Sequence, residues 1–360
     1  MTMHKLSRAE ARRIAVRAQL LDAARPDSLL DAVHGLTLLQ ADPTAAVAPS
    51  AHLVAWSRIG SAYSPADLTA ALAERTLIEL RGMIRPAEDI ALYRAEMAAW
   101  PGRGKLLRWQ ENLLDWVRAN DGCRRDILAR LDAEGPLTTR ELPDTCTVPW
   151  RSSGWNNNRN LDRLLDLMVQ RGEVALAGRR RGDRIWDLAE RVYPDEPAVP
   201  LEEALRRRDE RELASMGLVR GRSTQVEPFV GEPAVVDGVR GTWRLDPAQL
   251  DRPFEGRVAL LSPLDRLVFD RKRMTDLFEF DYQLEMYKPA KQRRWGYWAL
   301  PILVGDQLVG KVDATADRKA GVLRVDAIHE DIAFDEAAVG AELAELADWL
   351  GLEPVGSIAA

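Results

Sequence analysis

Through the first third of the chain, apolar and polar residues follow a helical period. Ser7-Arg-Ala-Glu10 has the spacing of a capping box and opens a helix through Ala18. The period continues over 28–39, and Ser64-Pro65 starts another helix with proline at its first position. From about Asp121 the pattern predicts a helix over 124–134, a turn and short helix over 135–142, a longer helix over 157–171, and a hairpin from 172–178 and 183–188. Helices followed by a hairpin in that order form the winged-helix arrangement. A proline-rich boundary, 193–200, precedes a repeat of the same logic: a helix over 201–218 and two strands around Asp237-Gly238, a hairpin turn pair.

Beyond Pro253 the pattern turns to short strands at 257–261, 282–287, 296–304, 307–313 and 321–327, the signature of a small barrel or half-barrel. Val339, Leu343, Leu346 and Leu350 then return to helical spacing. The expected fold is α+β: tandem winged-helix modules, a small C-terminal β-barrel and a terminal helix. The divisions are a helical, winged-helix module at 1–120, winged helices at 121–195 and 196–255, the barrel at 256–335 and the acidic helix at 336–360.

A chain of 360 residues, 46% of them hydrophobic, can bury several cores. Its two cysteines, Cys123 and Cys146, are too few for a disulfide framework and lack zinc-site spacing, so neither cofactor nor metal is expected. With no apolar leader and no run long enough to cross a bilayer, a cytoplasmic protein without a membrane partner is expected. The net charge of −6 argues against a nucleic-acid partner until its distribution is considered. From Glu330 onward there are eight carboxylates and no Lys or Arg, which leaves the remainder slightly positive.

The most chemically suggestive triplet is Gln40-Ala41-Asp42, which follows an apolar stretch and precedes Pro43. An amide and a carboxylate two residues apart can grip one water, the amide orienting it and the carboxylate taking its proton. The alternative is structural: Gln40 in the last turn of a helix and Asp42 capping the next. The hairpin tip Gly178-Arg179-Arg180-Arg181-Gly182, with Arg184 on the returning strand, suits contact with phosphates, although any exposed tip can collect arginines. The preceding helix carries Arg159 and Arg163, with Trp150, Trp155 and Asn156 to Asn158 just before it.

Longer motifs carry a family resemblance. The runs 261–271 (Leu-Ser-Pro-Leu-Asp-Arg-Leu-Val-Phe-Asp-Arg), 280–289, 294–303 and 309–321, together with 51–60 and the Gln40-x-Asp42 triplet, resemble the AlkZ/YcaQ-type winged-helix DNA glycosylases in the same order. The resemblance implies tandem winged helices, a C-terminal barrel and excision of N7-alkylated purines, including bulky adducts and, in some members, interstrand crosslinks. Gln-x-Asp is the signature of the YcaQ branch; the AlkZ branch has Gln-x-Gln. It implies Gln40 and Asp42 as catalytic residues and duplex DNA carrying alkylated purines as partner. Leu80-Arg-Gly-Met-Ile-Arg-Pro86 departs from the pattern. It is closer to the Arg-Gly-Thr-x-His stretch of the AlkZ branch, with Met83 and Arg85 where Thr and His would stand.

His52, Arg81, Arg85, Asp265 and Arg271 are further substrate-pocket candidates. His52 also fits a packing role, and Asp265 and Arg271 also fit a structural pair. Lys291, Arg293 and Arg294 beside Trp295, Tyr297 and Trp298 suggest a basic, aromatic strand pair facing DNA, or ordinary barrel packing. Two functions follow: a monofunctional DNA glycosylase in base excision repair, or a non-catalytic winged-helix DNA-binding protein such as a transcriptional regulator. No heptad run is present, and a nucleoid-associated monomer is expected.

Overall fold

The computed structural model describes residues 3–154, 157–221, 226 and 229–356, so the contacts expected of Trp155 and Asn156 fall outside the described residues. The chain forms two units, one from Met1–Leu68 with Asp209–Ala360 and one from Thr69–Arg208.

In the first unit the capping box is present. Ser7 Oγ accepts the Glu10 N–H at 3.2 Å, Glu10 accepts the Ser7 N–H at 2.8 Å, and the helix runs Arg8–Ala18. Its Ala11, Ile14 and Ala15 enter a core with Leu218, Trp243, Leu245, Leu267 and Phe280. The next helix, Leu29–Leu36, ends earlier than the apolar period suggests because Thr37 takes a left-handed conformation, φ 67°. A two-residue strand, Leu39–Gln40, follows.

A four-stranded sheet has the spatial order His4–Leu6, Glu232–Val236, Trp243–Leu245, Leu218–Arg220. The first pair is parallel, so strands from the segment expected as a third module share their sheet with the start of the chain. The Asp237-Gly238 turn forms, with the Val239 N–H on the Val236 carbonyl at 3.0 Å, but the partner strand starts only at Trp243 and the loop is longer than a tight hairpin.

The C-terminal sheet runs Val258–Leu260, Leu300–Val304, Gln307–Asp317, Val322–Glu330 and Glu353–Gly356, antiparallel except for the last pair. Bulges at Ile302/Leu303 and Asp313/Ala314 curl it into a half-barrel rather than a closed barrel. No strand forms at 282–287. There the buried Glu285 carboxylate accepts the N–H groups of Arg294 (2.6 Å) and Trp295 (2.9 Å), so the segment is organised around a side chain instead of a ladder. The Glu336–Leu350 helix buries Val339, Leu343 and Leu346, as its spacing predicts.

In the second unit, helices Asp121–Glu134 and Asn160–Gln170 pack Ile127, Leu131, Leu164, Leu165 and Met168 against Val174 and Trp186 of the hairpin Val174–Arg180 and Asp183–Leu188. The short helix expected in 135–142 is instead a two-residue strand, Leu137–Thr138, paired with Asp183–Leu188. After it the Thr138 N–H and hydroxyl both donate to Glu141, a local closure that replaces helical bonding. A second hairpin joins Leu77–Leu80 to Met83–Pro86. Both hairpins turn on Arg-Gly: Arg81 and Gly82 have φ of 53° and 76°, Arg181 and Gly182 52° and 87°. Positive φ at both central positions matches the twist of the strands they join.

Candidate active site

Gln40 closes the short strand after the Thr37 reversal, half-buried, and its amide makes no hydrogen bond among the described residues. Asp42 is half-buried two residues on. Its Oδ1 accepts the Thr44 N–H at 2.8 Å, a local turn around Pro43 that orients the carboxylate, while Oδ2 has no hydrogen-bond partner among the described residues. The purely structural alternative is not what forms. Gln40 lies outside the helix that ends at Leu36, and the next helix, Ser50–Ile59, has Pro49 at its N-cap with no side-chain cap.

Both ends of this loop are held by the first unit. Arg266 Nη1 donates to the Leu36 carbonyl (2.8 Å), Thr37 Oγ1 (3.0 Å) and Ser215 Oγ (3.1 Å), and its Nη2 pairs with Glu212. At the far end, the Ala316 N–H donates to the Ala46 carbonyl at 2.8 Å, and Ser50 and Ser262 share a buried hydroxyl hydrogen bond of 2.8 Å. Arg58 and Asp265, both fully buried, form a two-point pair, with Nη2 to Oδ1 at 3.0 Å and Nη1 on Oδ2. Arg58 Nε donates to the Gln19 carbonyl at 3.0 Å, and Asp265 Oδ1 also accepts the Leu267 N–H at 2.9 Å.

The Ser262-Pro-Leu-Asp-Arg266 run is therefore a clasp on the helices flanking Gln40 and Asp42. This corrects the reading of Asp265 as a substrate-pocket residue: its oxygens are committed to Arg58 and a backbone N–H, out of solvent. The sequence singles out this run, but not Ser50, Arg58 or the Leu36–Thr37 helix end as its partners, because those contacts span some two hundred residues.

His52 takes its packing alternative. Its Nδ1 lies 2.7 Å from the Tyr63 hydroxyl, and Tyr63 in turn stacks on Trp349 at 6.1 Å between ring centres. Burial holds the imidazole below its ordinary pKa. Arg271 opens the Arg271–Phe278 helix and is exposed; it does not pair with Asp265, whose partner is Arg58.

In the second unit Arg81 sits at its hairpin tip and pairs with Glu96 at 2.7 Å. Arg85 and Arg208 lie over the Tyr93 ring at 5.4 and 4.6 Å, and Arg208 also pairs with Glu96 at 2.7 Å. Burial alone would push the Glu96 carboxyl up, but the two guanidiniums outweigh it and hold it below the usual range. A cleft of about 370 Å³ gathers Glu79, Arg81, Arg163, Asp166, Arg184 and Trp186. Arg163 stacks on Trp150 at 4.6 Å, and its buried Nε has no hydrogen-bond partner among the described residues.

The hairpin arginines are less free than the sequence suggests. Arg179 pairs with both oxygens of Glu79 at 2.9 Å, Arg180 with Glu141 at 3.2 Å, and Arg184 with Asp162 at 2.7 Å and Asp166 at 3.1 Å. Arg181 at the turn has no ion pair among the described residues. Arg159 is the exposed N-cap residue of the Asn160–Gln170 helix.

Around 291–298 the structure holds a loop with a short 3₁₀ turn, Ala290–Gln292, not a strand pair. Trp295 and Trp298 are core residues, and only Tyr297 is exposed. Arg294 pairs with Asp281 at 2.8 Å, Arg293 Nε donates to the Lys288 carbonyl at 3.0 Å, and Lys291 is exposed.

An amide and a carboxylate on a pinned loop, together with arginine-tipped hairpins, fit a hydrolase acting on an anionic polymer. A family model described as DNA glycosylase AlkZ-like matches residues 33–349. The chain belongs to the AlkZ-like DNA glycosylase family and is thus a repair enzyme that hydrolyses N-glycosidic bonds in DNA. Its fold is similar to that of the Streptomyces sahachiroi DNA glycosylase AlkZ, with a TM-score of 0.65 at 16% identity, covering 98% of each chain. The binding-only alternative gives way to the enzyme. Among the described residues no helix is long and apolar enough to cross a membrane.

Proposed function

We propose that this glycosylase excises cationic N7-alkyl purines from duplex DNA by simple hydrolysis, with Asp42 as base and cation stabiliser and Gln40 as the water-orienting partner. The observation that carries this reading is the half-engaged Asp42 carboxylate: Oδ1 is tied to Thr44, Oδ2 has no hydrogen-bond partner among the described residues, and the amide of Gln40, two positions earlier in the chain, has none among them either. An N7-alkylguanine already carries positive charge, so its glycosidic bond breaks dissociatively and little acid catalysis is needed. A fixed carboxylate stabilises the oxocarbenium-like sugar and takes a proton from the attacking water, as in glycoside hydrolysis. Residues 37–49 contain no lysine, which fits hydrolysis without a Schiff-base step.

On this reading residues 121–195 act as a winged helix, and Arg159, Arg163 and Arg181 meet the phosphate backbone. Arg180 exchanges its exposed partner Glu141 for phosphate at small cost, because such surface pairs contribute little, while Arg179 and Arg184 give up the half-buried carboxylates Glu79, Asp162 and Asp166 for phosphates. The Gln-x-Asp motif aligns the enzyme with the YcaQ branch, while Met83 and Arg85 set its lesion choice apart. The enzyme acts as a monomer on chromosomal DNA in the cytoplasm.

The test is release of N7-methylguanine from alkylated duplex by the purified protein and by Asp42→Asn. A loss of at least about a hundredfold in the variant, with duplex affinity retained, is the expected result for a missing base. Equal release by both proteins would remove Asp42 from the chemistry. Crosslinked duplex as a second substrate separates monoadduct excision from unhooking.

A further inference from the structure

The two cysteines, far apart in sequence, come together in the second unit. Cys123, in the first turn of the Asp121–Glu134 helix, meets Asp144 and Cys146 on the segment that runs back past it. The two sulfurs and a carboxylate oxygen all lie within 4.8 Å of one another. Cys123 is buried, Cys146 half-buried and Asp144 exposed, so the group opens to solvent on one side. Both thiols are free, and that of Cys123 donates to the Pro143 carbonyl at 3.6 Å.

The segment is fastened on both sides of Cys146. Thr145 Oγ1 donates to Asp126 at 2.7 Å and Thr147 Oγ1 to the Ala119 carbonyl at 2.9 Å. The Val148 N–H donates to Asn120 at 3.0 Å, and Asn120 returns a bond to the Val148 carbonyl at 3.0 Å. None of these bonds uses the three candidate ligands, so they fasten the segment independently of any ion. Asp144 makes one local bond, accepting the Cys146 N–H on Oδ1 at 3.3 Å, and one long contact from Asn160 on Oδ2 at 3.4 Å.

We propose that Cys123, Asp144 and Cys146 bind a thiophilic divalent cation of the Zn²⁺ class. Two thiolate sulfurs select a soft or borderline ion over Mg²⁺ or Ca²⁺. Three protein ligands on a solvent-facing rim leave the fourth tetrahedral position to water. Binding displaces the two thiol protons and ties the Asp121–Glu134 helix to the segment that leads, through the Trp150 N–H on Asn160 Oδ1 at 2.8 Å, into the helix carrying Arg163. The cation would staple two segments of the proposed DNA-binding module while keeping one coordination position open, remote in sequence from Gln40 and Asp42. Sequence spacing misses it because the second half of the site is supplied by the fold, 21 and 23 residues after Cys123.

The full-length protein, purified under reducing conditions and stripped by chelator, is titrated with Co²⁺ alone and then with Zn²⁺. One equivalent of Co²⁺ is expected to give thiolate-to-cobalt charge-transfer absorption, which Zn²⁺ abolishes. Cys146→Ser, a near-isosteric change at a half-buried position, is expected to lose the band. Asp144→Asn is expected to weaken binding by at least about tenfold, and Zn²⁺ to raise the melting temperature of the wild type but not of Cys146→Ser. No charge-transfer band, or one that survives Cys146→Ser, overturns the site. So does recovery from non-reducing preparation of a Cys123–Cys146 disulfide that no cation protects against.

Discussion

Arg266 donates to the hydroxyl of Thr37 at 3.0 Å, three residues before Gln40, and the same nitrogen holds the last carbonyl of the preceding helix at 2.8 Å. The direction in which the Gln40–Asp42 loop leaves its helix is thus set by a planar, multidentate group on the barrel unit's clasp.

Arg266→Lys keeps the charge but loses the fork. We expect kcat for base release to fall roughly ten- to hundredfold through misplacement of the loop, with the Kd for duplex unchanged within about twofold. A Kd that rises in step with the loss of rate would show that Arg266 binds DNA instead.

Asp265→Asn leaves the Arg58 guanidinium buried without its counter-charge. The expected loss is about 3–5 kcal/mol in urea unfolding. Arg58→Met with Asp265→Leu should recover much of it, because no charge is then stranded. If the single and double variants prove equally unstable, the pair is not the source of the loss.

Glu79 and Arg181 test the hairpin from opposite directions. Arg181→Ala should lower the slope of log K against log salt by about 1 and weaken duplexes of any sequence alike. Glu79→Gln removes the carboxylate on Arg179 and should tighten binding. An unchanged salt slope in Arg181→Ala, or weaker binding in Glu79→Gln, would contradict a phosphate-facing hairpin.

His52 gives the stability a defined pH dependence. Its folded pKa lies below the ordinary 6.5 because of burial, so the unfolded chain takes up the proton first. The contribution is fully present above about pH 6.5 and is lost as pH falls through the depressed folded value. Ring titration by NMR should place the His52 midpoint below 6.5, and His52→Gln should flatten the decline in stability as pH falls below about 6.5. A midpoint at or above 6.5 would rule this out.

Local rules were legible in the chain because they involve neighbours. The Ser7–Glu10 box, the helix starting at Pro65, the Arg179–Gly182 hairpin and the terminal helix all depend on residues a few positions apart. The misses have one origin. Tyr282 to Tyr287 has strand composition, yet Glu285 diverts the backbone bonds of residues about ten positions away. Asp265 looked like a pocket carboxylate because nothing near it in sequence announces Arg58. The triplet Gln40-x-Asp42 stood out by its chemistry, but the partners that hold it, Arg266 and Ser262, come from the other end of the chain. Trp295 and Trp298 next to arginines read as a binding surface, and their burial became evident only once the half-barrel was formed.

The parallel pairing of His4–Leu6 with Glu232–Val236 means that this strand waits for a partner more than two hundred residues later. During vectorial synthesis, residues 69–208 emerge whole and can fold as an insertion while the opening segment remains incomplete. The unit carrying Gln40 and Asp42 thus cannot complete its four-stranded sheet until residues on the far side of the 69–208 insertion are in place.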